Sequence, residues 1–267
     1  MIPKNILPLC CVCLMLISCG ANYNSSVSSG SGSGPTGGGS QSNVNLNDGV
    51  YSGVASSGDT FWAMILPNDQ VYGIYATANG NQLLLDGMIV GQGTMNSSSY
   101  TASVTDIPYM GSVKSGTFSA SNFSGGSMDG TLTEGGTVTT FYAPSVMGSI
   151  WDYGATFQSP ALLSAISGSW TGTLLDGMTT TVTISSTGGV TGSSSGCSFT
   201  GTIAPDSSKT NFFDVSLTFG GSPCAFPNQT ATGIGVDYLL SDNVTNQFLV
   251  AVTVGSSAGT VFAAERQ

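Results

Sequence analysis

The stretch Phe213-Asp214-Val215-Ser216-Leu217-Thr218-Phe219 alternates apolar and polar residues without a break. Successive side chains of a β-strand point to opposite faces, so this pattern predicts a strand with one apolar and one polar face. The same period recurs in residues 100–105, 234–240 and 248–254, and Gly, Asn and Asp turns separate these runs. Helical periodicity is almost absent. From Asp48 onward the sequence therefore predicts an antiparallel all-β meander.

The chain also resembles itself. Gly49-Val50-Tyr51-Ser52-Gly53 aligns with Gly168-Ser169-Trp170-Thr171-Gly172 at an offset of 119 residues, and the later strands and turns follow in the same order. We therefore predict two copies of one domain, at residues 48–144 and 167–267, joined by a linker over residues 145–166. About 100 residues in about eight short strands is the size of a small up-and-down β-barrel.

Two other β architectures share this alternation. A pair of β-sandwiches is the alternative that the sequence leaves open. A transmembrane barrel fits less well, because its outward face must be apolar and one face of each strand here carries Thr and Ser. The sequence therefore favours two tandem small barrels.

The linker contains a candidate helix. Ser159 stands at an N-cap position, Pro160 at the first helical position, and an apolar stripe follows at positions 162, 163 and 166. This pattern predicts a two-turn helix, which we expect to lie across the open mouth of the second barrel. The aromatic residues before it are expected to pack between the domains: Trp151, Tyr153 and Phe157.

The N-terminus carries Lys4 and an apolar run over residues 6–17, and Ser18 and Cys19 follow this run. A run of this length cannot span a bilayer, which needs about 20 apolar residues. Leu16-Ile17-Ser18-Cys19 resembles a bacterial lipobox, which implies that residues 1–18 are a signal peptide and that Cys19 carries several acyl chains, palmitate among them. In lipoproteins of this kind, Gly20 rather than Asp after the cysteine favours the outer membrane. An ordinary cleaved signal with a chance cysteine is the alternative.

Residues 19–47 follow the predicted cleavage site and consist mainly of Ser, Gly and Asn. Such a composition cannot bury enough apolar surface to offset the entropy of ordering, so we predict a disordered tether. A flexible chain of this length spans about 28 Å root-mean-square. The tether is expected to hold the barrels away from the membrane.

The composition excludes several classes of function. The chain has Lys+Arg 4, Asp+Glu 14 and no histidine, for a formal charge of −10, and losing Lys4 with the signal makes the charge more negative still. This charge argues against nucleic acid and against direct adhesion to anionic lipid. Without histidine there can be no Ser-His-Asp triad, and the commonest general base and metal ligand is missing.

The six cysteines fall into two groups. Three lie within the predicted signal and Cys19 is the predicted lipid attachment site, which leaves Cys197 and Cys224. Two thiols in an oxidising compartment predict a disulfide, worth about 3 to 4 kcal/mol on the chain-entropy argument. The Cys-x-x-Cys spacing of a redox pair is absent.

Carboxylates are the only catalytic groups that this composition offers, since a glycosidase needs just two of them. Asp favours turns, where its side chain bonds the local backbone. Eight acids stand beside turn residues: Asp59, Asp69, Asp86, Asp129, Glu134, Asp176, Asp206 and Asp242. Asp214 and Asp237 fall in mid-strand on the face predicted to be exposed, where nothing would raise a pKa. We therefore predict no catalytic residue, no metal site and no cofactor.

Each copy opens with Gly-x-Tyr/Trp-x-Gly, which resembles the Gly-x-Trp start of lipocalin and avidin-type (calycin) barrels. In lipocalins this Trp packs beneath a basic residue from the end of the last strand. The resemblance therefore implies that Trp170 and Arg266 form a cation–π pair that closes the floor of the second barrel. The first copy departs from the pattern, because it has Tyr51 and no basic residue near positions 141–143. A plain core aromatic is the alternative role for Trp170.

Residues 61–66 are apolar on both strand faces, as are residues 83–85. A strand with one face in water alternates instead. The outer face therefore meets either the sister barrel or a partner molecule. The candidate partner surface consists of Phe61, Trp62, Met64 and Leu66.

These observations predict a surface-exposed, lipid-anchored lipoprotein of the outer membrane, on its periplasmic or outer face. We expect it to be a non-enzymatic interaction module with a protein or glycan partner. The alternative is a protein that binds a small apolar ligand in the mouth of one barrel, as lipocalins do. The large residues expected to point inward favour a filled interior instead: Phe213, Phe219, Tyr238 and Phe248.

Overall fold

The computed structural model describes residues 7–8, 49–79, 82–124, 127–143, 160–208, 210–239 and 245–266. The predicted lipidation site, the tether and the three linker aromatics lie outside these residues. No helix within the described ranges is long and apolar enough to cross a bilayer.

Eight antiparallel strands form barrel one, and consecutive strands pair with each other. A two-residue strand in the predicted signal peptide, β1 (Leu7–Pro8), pairs with the start of the fourth of them. The first and last of the eight strands close the barrel through the pairs Val54–Tyr142 and Ala55–Phe141. The strands of barrel one are β2 (Gly49–Ala55), β3 (Thr60–Ile65), β4 (Gln70–Asn79), β5 (Gln82–Met95), β6 (Ser99–Pro108), β7 (Lys114–Ser124), β8 (Ser127–Glu134) and β9 (Thr137–Ala143).

Barrel two repeats this plan and is closed by pairing of its first and last strands, for example Gly172 with Ala264. The prediction of two tandem antiparallel up-and-down barrels is therefore confirmed, and the sandwich alternative is excluded. The strands of barrel two are β10 (Gly168–Leu174), β11 (Thr179–Ile184), β12 (Gly189–Ser194), β13 (Cys197–Pro205), β14 (Phe213–Phe219), β15 (Thr230–Leu239), β16 (Asn246–Val254) and β17 (Ala258–Arg266).

A buried apolar layer joins the two barrels. Outward-facing side chains of β3 to β6 pack against outward-facing side chains of β15 to β17. In β16, Leu249 and Ala251 face this layer while Phe248 and Val250 face the interior of barrel two. A strand such as β16 is apolar on both faces because one face lies inside a barrel and the other meets the neighbouring barrel.

The linker helix α1 (Leu163–Ile166) is shorter than predicted and lies elsewhere. It makes one turn, and its N-cap residue is Leu162, with no side-chain cap. The segment before it is held in another way, because the Ala161 N–H donates to the carbonyl of Thr210 at 3.1 Å. The helix packs at the end of barrel two where β10 begins, with Ile166 fully buried. The expectation of a helix across the open mouth is therefore wrong.

Candidate functional site

Barrel two encloses a cavity of about 380 Å³. The direction of the strands gives the position of the cavity. The cavity occupies the half of the barrel that contains the β10–β11, β12–β13, β14–β15 and β16–β17 turns, and it opens to solvent at that end. We call this end the mouth and the opposite end the floor. The deep part of the cavity is apolar and is lined by Val182, Ile184, Val190, Phe199, Ile203, Val215, Leu217, Phe248, Val250 and Phe262.

The expectation of a filled interior is wrong for barrel two because its largest rings gather at the floor. Trp170 lies 5.3 Å from Phe248 between ring centroids, and Phe248 lies 6.5 Å from Phe213. All three occupy early positions in strands that start at the floor. Phe219, at the other end of β14, lines the cavity instead of filling it.

Arg266 closes the floor together with α1. Its guanidinium lies 4.2 Å from the centroid of the Trp170 ring, as the lipocalin resemblance implied. It also donates to the carbonyls of Ser167 at 2.8 Å and Ala165 at 2.5 Å, and Trp170 Nε1 donates to the Ile166 carbonyl at 2.7 Å. The carbonyls at the end of α1 thus find their donors within the barrel floor.

A disulfide lies at the mouth. Cys197, at the start of β13, is bonded to Cys224 in the β14–β15 loop, which confirms the pairing predicted from the sequence. The loop residues next to Cys224 line the cavity, and Phe226 packs edge-on against Phe219 at 5.5 Å. The disulfide therefore attaches one wall of the cavity to the barrel.

Barrel one supplies another part of the wall. Ile107, Pro108 and Tyr109, at the end of β6, line the cavity of barrel two. The Tyr109 N–H donates to the carbonyl of Asp86 at 2.6 Å, which fixes this segment to β5. No local sequence pattern indicates this contribution, because it depends on how the two barrels dock.

Polar groups of the cavity lie at the mouth. Asp176, in the β10–β11 turn, is half-buried, and its Oδ1 accepts from the Met178 N–H at 2.9 Å. Ser194, the last residue of β12, is buried and donates to the Thr179 carbonyl at 3.2 Å. The polar lining is completed by Ser195, Thr260 and Tyr109.

The interior of barrel one is packed with aromatic rings. Phe118 stacks on Phe141 at 4.9 Å between centroids, and Phe61 and Tyr100 pack edge-on against this pair at 5.2 and 6.1 Å. A glycine makes room for them, since a Cβ at Gly130 would lie 2.3 Å from the Phe141 ring. These rings occupy the middle of barrel one, whereas the largest rings of barrel two gather at its floor.

A partly buried polar cluster lies at the end of barrel one that corresponds to the mouth of barrel two, with Asp106 as its most buried member. The Tyr75 hydroxyl donates to Asp106 Oδ1 at 2.7 Å, and Lys114 Nζ lies 3.8 Å from Glu134 Oε2. Burial raises the pKa of Asp106 above its ordinary value, although the hydrogen bond from Tyr75 and the charge of Lys114 oppose this. Burial also raises the pKa of Glu134, and the charge of Asp106 adds to this effect.

Several acids lie in other environments than predicted. Asp237 faces the interior of barrel two near the floor and is 8% exposed, because β15 turns its apolar alternate residues towards barrel one. Burial raises the pKa of Asp237, contrary to the expectation from sequence. Asp214 is exposed as predicted, but partial burial and then the charge of Asp206 raise its pKa. Asp86 and Asp129 lie within strands rather than turns.

The candidate partner surface is buried. Trp62, Met64 and Leu66 lie in the apolar layer between the barrels, and Met64 is 1% exposed. Phe61 points the other way, into barrel one. Of the two accounts that the sequence left open, the structure therefore shows contact with the sister barrel. Among the described residues no group of three or more His, Cys, Asp or Glu could hold a metal ion.

No family model and no curated protein matches this sequence. Two solved structures show a distant similarity. One is a Bacteroides fragilis protein described as a "putative outer membrane protein", with 11% identity, a TM-score of 0.29, and coverage of 84% of this chain and 100% of that one. The other is a Nostoc punctiforme protein of unknown function from the DUF3598 family, with 11% identity, a TM-score of 0.28, and coverage of 86% and 100%. At these TM-scores neither similarity carries an argument about fold or function.

Proposed function

We propose that this chain is a non-enzymatic binding protein whose second barrel holds a small apolar molecule. The observation that carries the proposal is the cavity of about 380 Å³, which is apolar at depth, closed at the floor and open at the mouth. Eight-stranded barrels are just wide enough to be filled by side chains or to hold one small ligand. A cavity of this size falls at the small end of the usual range of about 300 to 1,000 Å³ for ligand pockets.

In this proposal the chain acts at the outer membrane, attached through lipid on Cys19. The support is the lipobox-like sequence Leu16-Ile17-Ser18-Cys19 and the Ser/Gly-rich stretch that follows it. A chain attached in this way stays close to the lipids and lipophilic compounds of the envelope. In this proposal the anchor keeps the chain close to apolar molecules, and the apolar cavity binds one of them.

The proposal of a separate protein or glycan partner has lost its main support. It relied on the apolar outer face of residues 61–66, and that face is covered by barrel two. The ligand-binding alternative becomes the better-supported function, because the interior of barrel two is open where the sequence suggested that it was filled.

Binding can be tested with the mature chain, residues 19–267, carrying Cys19→Ser so that no anchor lipid competes for the cavity. A fluorescent apolar probe such as N-phenyl-1-naphthylamine should bind saturably, with one site per chain. Leu217→Trp adds a large side chain to the cavity wall and should abolish binding. Val138→Trp, on the exposed outer face of barrel one, is the matched control and should leave binding unchanged.

Circular dichroism and melting curves establish that both variants fold. Absence of saturable probe binding by the parent chain contradicts the proposal, as does full binding by a folded Leu217→Trp variant. Native mass spectrometry of protein from its own host provides an independent test, since a co-purifying small molecule is expected. We also expect no turnover on ester, peptide or peptidoglycan substrates.

A further inference from the structure

The mouth of the cavity is polar on one side only. Asp176 lies in the β10–β11 turn and Ser194 at the end of β12, on either side of the start of β11, and Thr260 lies on the neighbouring β17. The opposite side, formed by β13, β14 and the disulfide loop, presents Phe219 and Phe226. A ligand in this cavity would therefore have its polar end placed against the first side.

Another buried polar group, the hydroxyl of Thr180, lies beside the polar side of the mouth. Thr180 is 1% exposed, and its hydroxyl makes no hydrogen bond with any described residue. It shares the inward face of β11 with Val182 and Ile184, which line the cavity. The Thr180 hydroxyl is itself inaccessible to solvent, so it lies within the wall beside the polar side of the mouth and is not a contact for the ligand.

The charge near the mouth is negative. Asp176 is the sole charged residue among the described residues that line the cavity, and the positive groups among the described residues are engaged elsewhere. Lys114 lies beside Glu134 in barrel one, and Arg266 is bonded at the floor, at the other end of barrel two. The carboxylate of Asp176 is held in place by the Met178 N–H through one oxygen.

From this arrangement, and resting on the proposed function above, we propose that barrel two selects amphiphiles with an uncharged or cationic head group and excludes carboxylates. The apolar body lies in the deep cavity, and the head lies at the mouth beside Asp176 and Ser194. An anionic head would stand next to the Asp176 carboxylate, partly removed from water and with no cation to offset it. Hydroxyl and ammonium heads instead gain hydrogen bonds, and the ammonium also gains the opposite charge.

Three ligands with the same ten-carbon chain test this selection: decan-1-ol, decylamine and sodium decanoate. Each is used at neutral pH to displace N-phenyl-1-naphthylamine from the Cys19→Ser mature chain. Decylamine and decanol should displace the probe, and decanoate should bind about tenfold or more weakly than decanol. Raising the salt from about 20 mM to about 500 mM should weaken decylamine and leave decanol unchanged, because only the former interacts through charge.

Asp176→Asn removes the charge and keeps an oxygen for the Met178 N–H. It should weaken decylamine about tenfold, strengthen decanoate and leave decanol unchanged. Asp206→Asn is a closely matched control, because Asp206 accepts from the Ser208 N–H at 2.8 Å in the same kind of turn but lies at the floor end. This control should leave all three affinities as they are.

The outcomes separate the two proposals. If none of the ligands and no probe binds, the proposed function itself fails. If all three bind equally, or decanoate binds best, the function stands and the inference about the head group is overturned. If Asp176→Asn folds poorly, the salt dependence of binding by the parent chain tests the inference by itself. An equal effect of salt on the affinities for decylamine and decanol would then contradict the inference.

Discussion

Barrel one and barrel two have the same number of strands in the same order, yet their interiors differ. Barrel one has a stack of aromatic rings in its middle, and a polar cluster lies at the end that corresponds to the mouth of barrel two. Barrel two collects its rings at the floor and leaves a cavity above them. The comparison shows that the strand plan fixes the wall of such a barrel, while the filling depends on where the large residues fall along each strand.

The positions of the rings make this concrete. Phe118 and Phe141 are each the fifth residue of their strands, so they reach the middle of barrel one. Trp170 and Phe248 are each the third residue of strands that start at the floor, and Phe213 is the first residue of another. A barrel of this width needs only a few rings at mid-height to be filled.

Removing a central ring from barrel one should have the largest effect. Phe118→Ala deletes a buried ring that contacts two other rings, and we expect it to lower the free energy of unfolding by ~3 to 5 kcal/mol. Phe219→Ala in barrel two should cost about 2 kcal/mol or less, because that ring is only half-buried and borders the cavity. Urea unfolding of both variants measures the difference. Equal losses would show that the two interiors are equally well packed and would remove the contrast.

The disulfide should have the next largest effect, and it acts on barrel two. Replacing Cys197 and Cys224 by Ser should lower the free energy of unfolding by ~3 to 4 kcal/mol, since the bond joins residues 27 apart in sequence. The same change frees the loop that forms one wall of the cavity, so probe affinity should fall as well. Calorimetry and probe titration measure the two effects. We expect one melting transition, because the apolar layer joins the barrels; unchanged probe affinity would show that the loop does not shape the site.

The smallest effect concerns the polar cluster of barrel one. Because the pKa of Asp106 is raised in the folded state, its favourable contribution is complete below the ordinary pKa of Asp and is lost as pH rises through the raised value. Asp106→Asn should therefore raise the melting temperature by a few degrees at pH 7. It should have no such effect at about pH 3.5, below the ordinary Asp pKa of about 3.9.

Asp59→Asn controls for the loss of one negative charge at the same end of barrel one, because Asp59 is half-buried in the β2–β3 turn and an Asn there keeps an oxygen to accept a hydrogen bond from Ser57 or Thr77. Melting curves across this pH range measure both variants. A lower melting temperature for Asp106→Asn at pH 7 would contradict the prediction. It would show that the charged carboxylate bonded to Tyr75 stabilises barrel one.

Much of the fold could be predicted from the sequence because local patterns determine it. Alternation at period two, turn residues between the runs and the repeated Gly-x-Tyr/Trp-x-Gly opening favoured two tandem barrels, although they left a pair of β-sandwiches open. The contact between Trp170 and Arg266 followed from a resemblance to lipocalins, and the disulfide followed from the count of cysteines. Each of these features depends on few residues or on a simple rule.

The cavity could not be predicted in this way, because it depends on quantities that period-two patterns do not carry. The alternation in β15 suggested Ile234 and Val236 as inward residues, but they face barrel one, and glycines and Asp237 take the inward positions. When one face of a strand lies inside its own barrel and the other face packs against the neighbouring barrel, neither face is exposed to solvent. The pattern of polar residues then does not show which face points inward. The segment at Tyr109 reaches the cavity only because the barrels dock, which no local pattern records.

Ile107 and Pro108 of barrel one form part of the cavity wall of barrel two, and this affects how the two copies can evolve. Ile107 belongs both to the layer that holds the barrels together and to the surface that a ligand would touch. A substitution there changes docking and ligand fit at once, so selection on either property constrains the other. After a duplication, a residue with both roles would keep the two barrels docked to each other. The interior of one barrel could still diverge from the interior of the other.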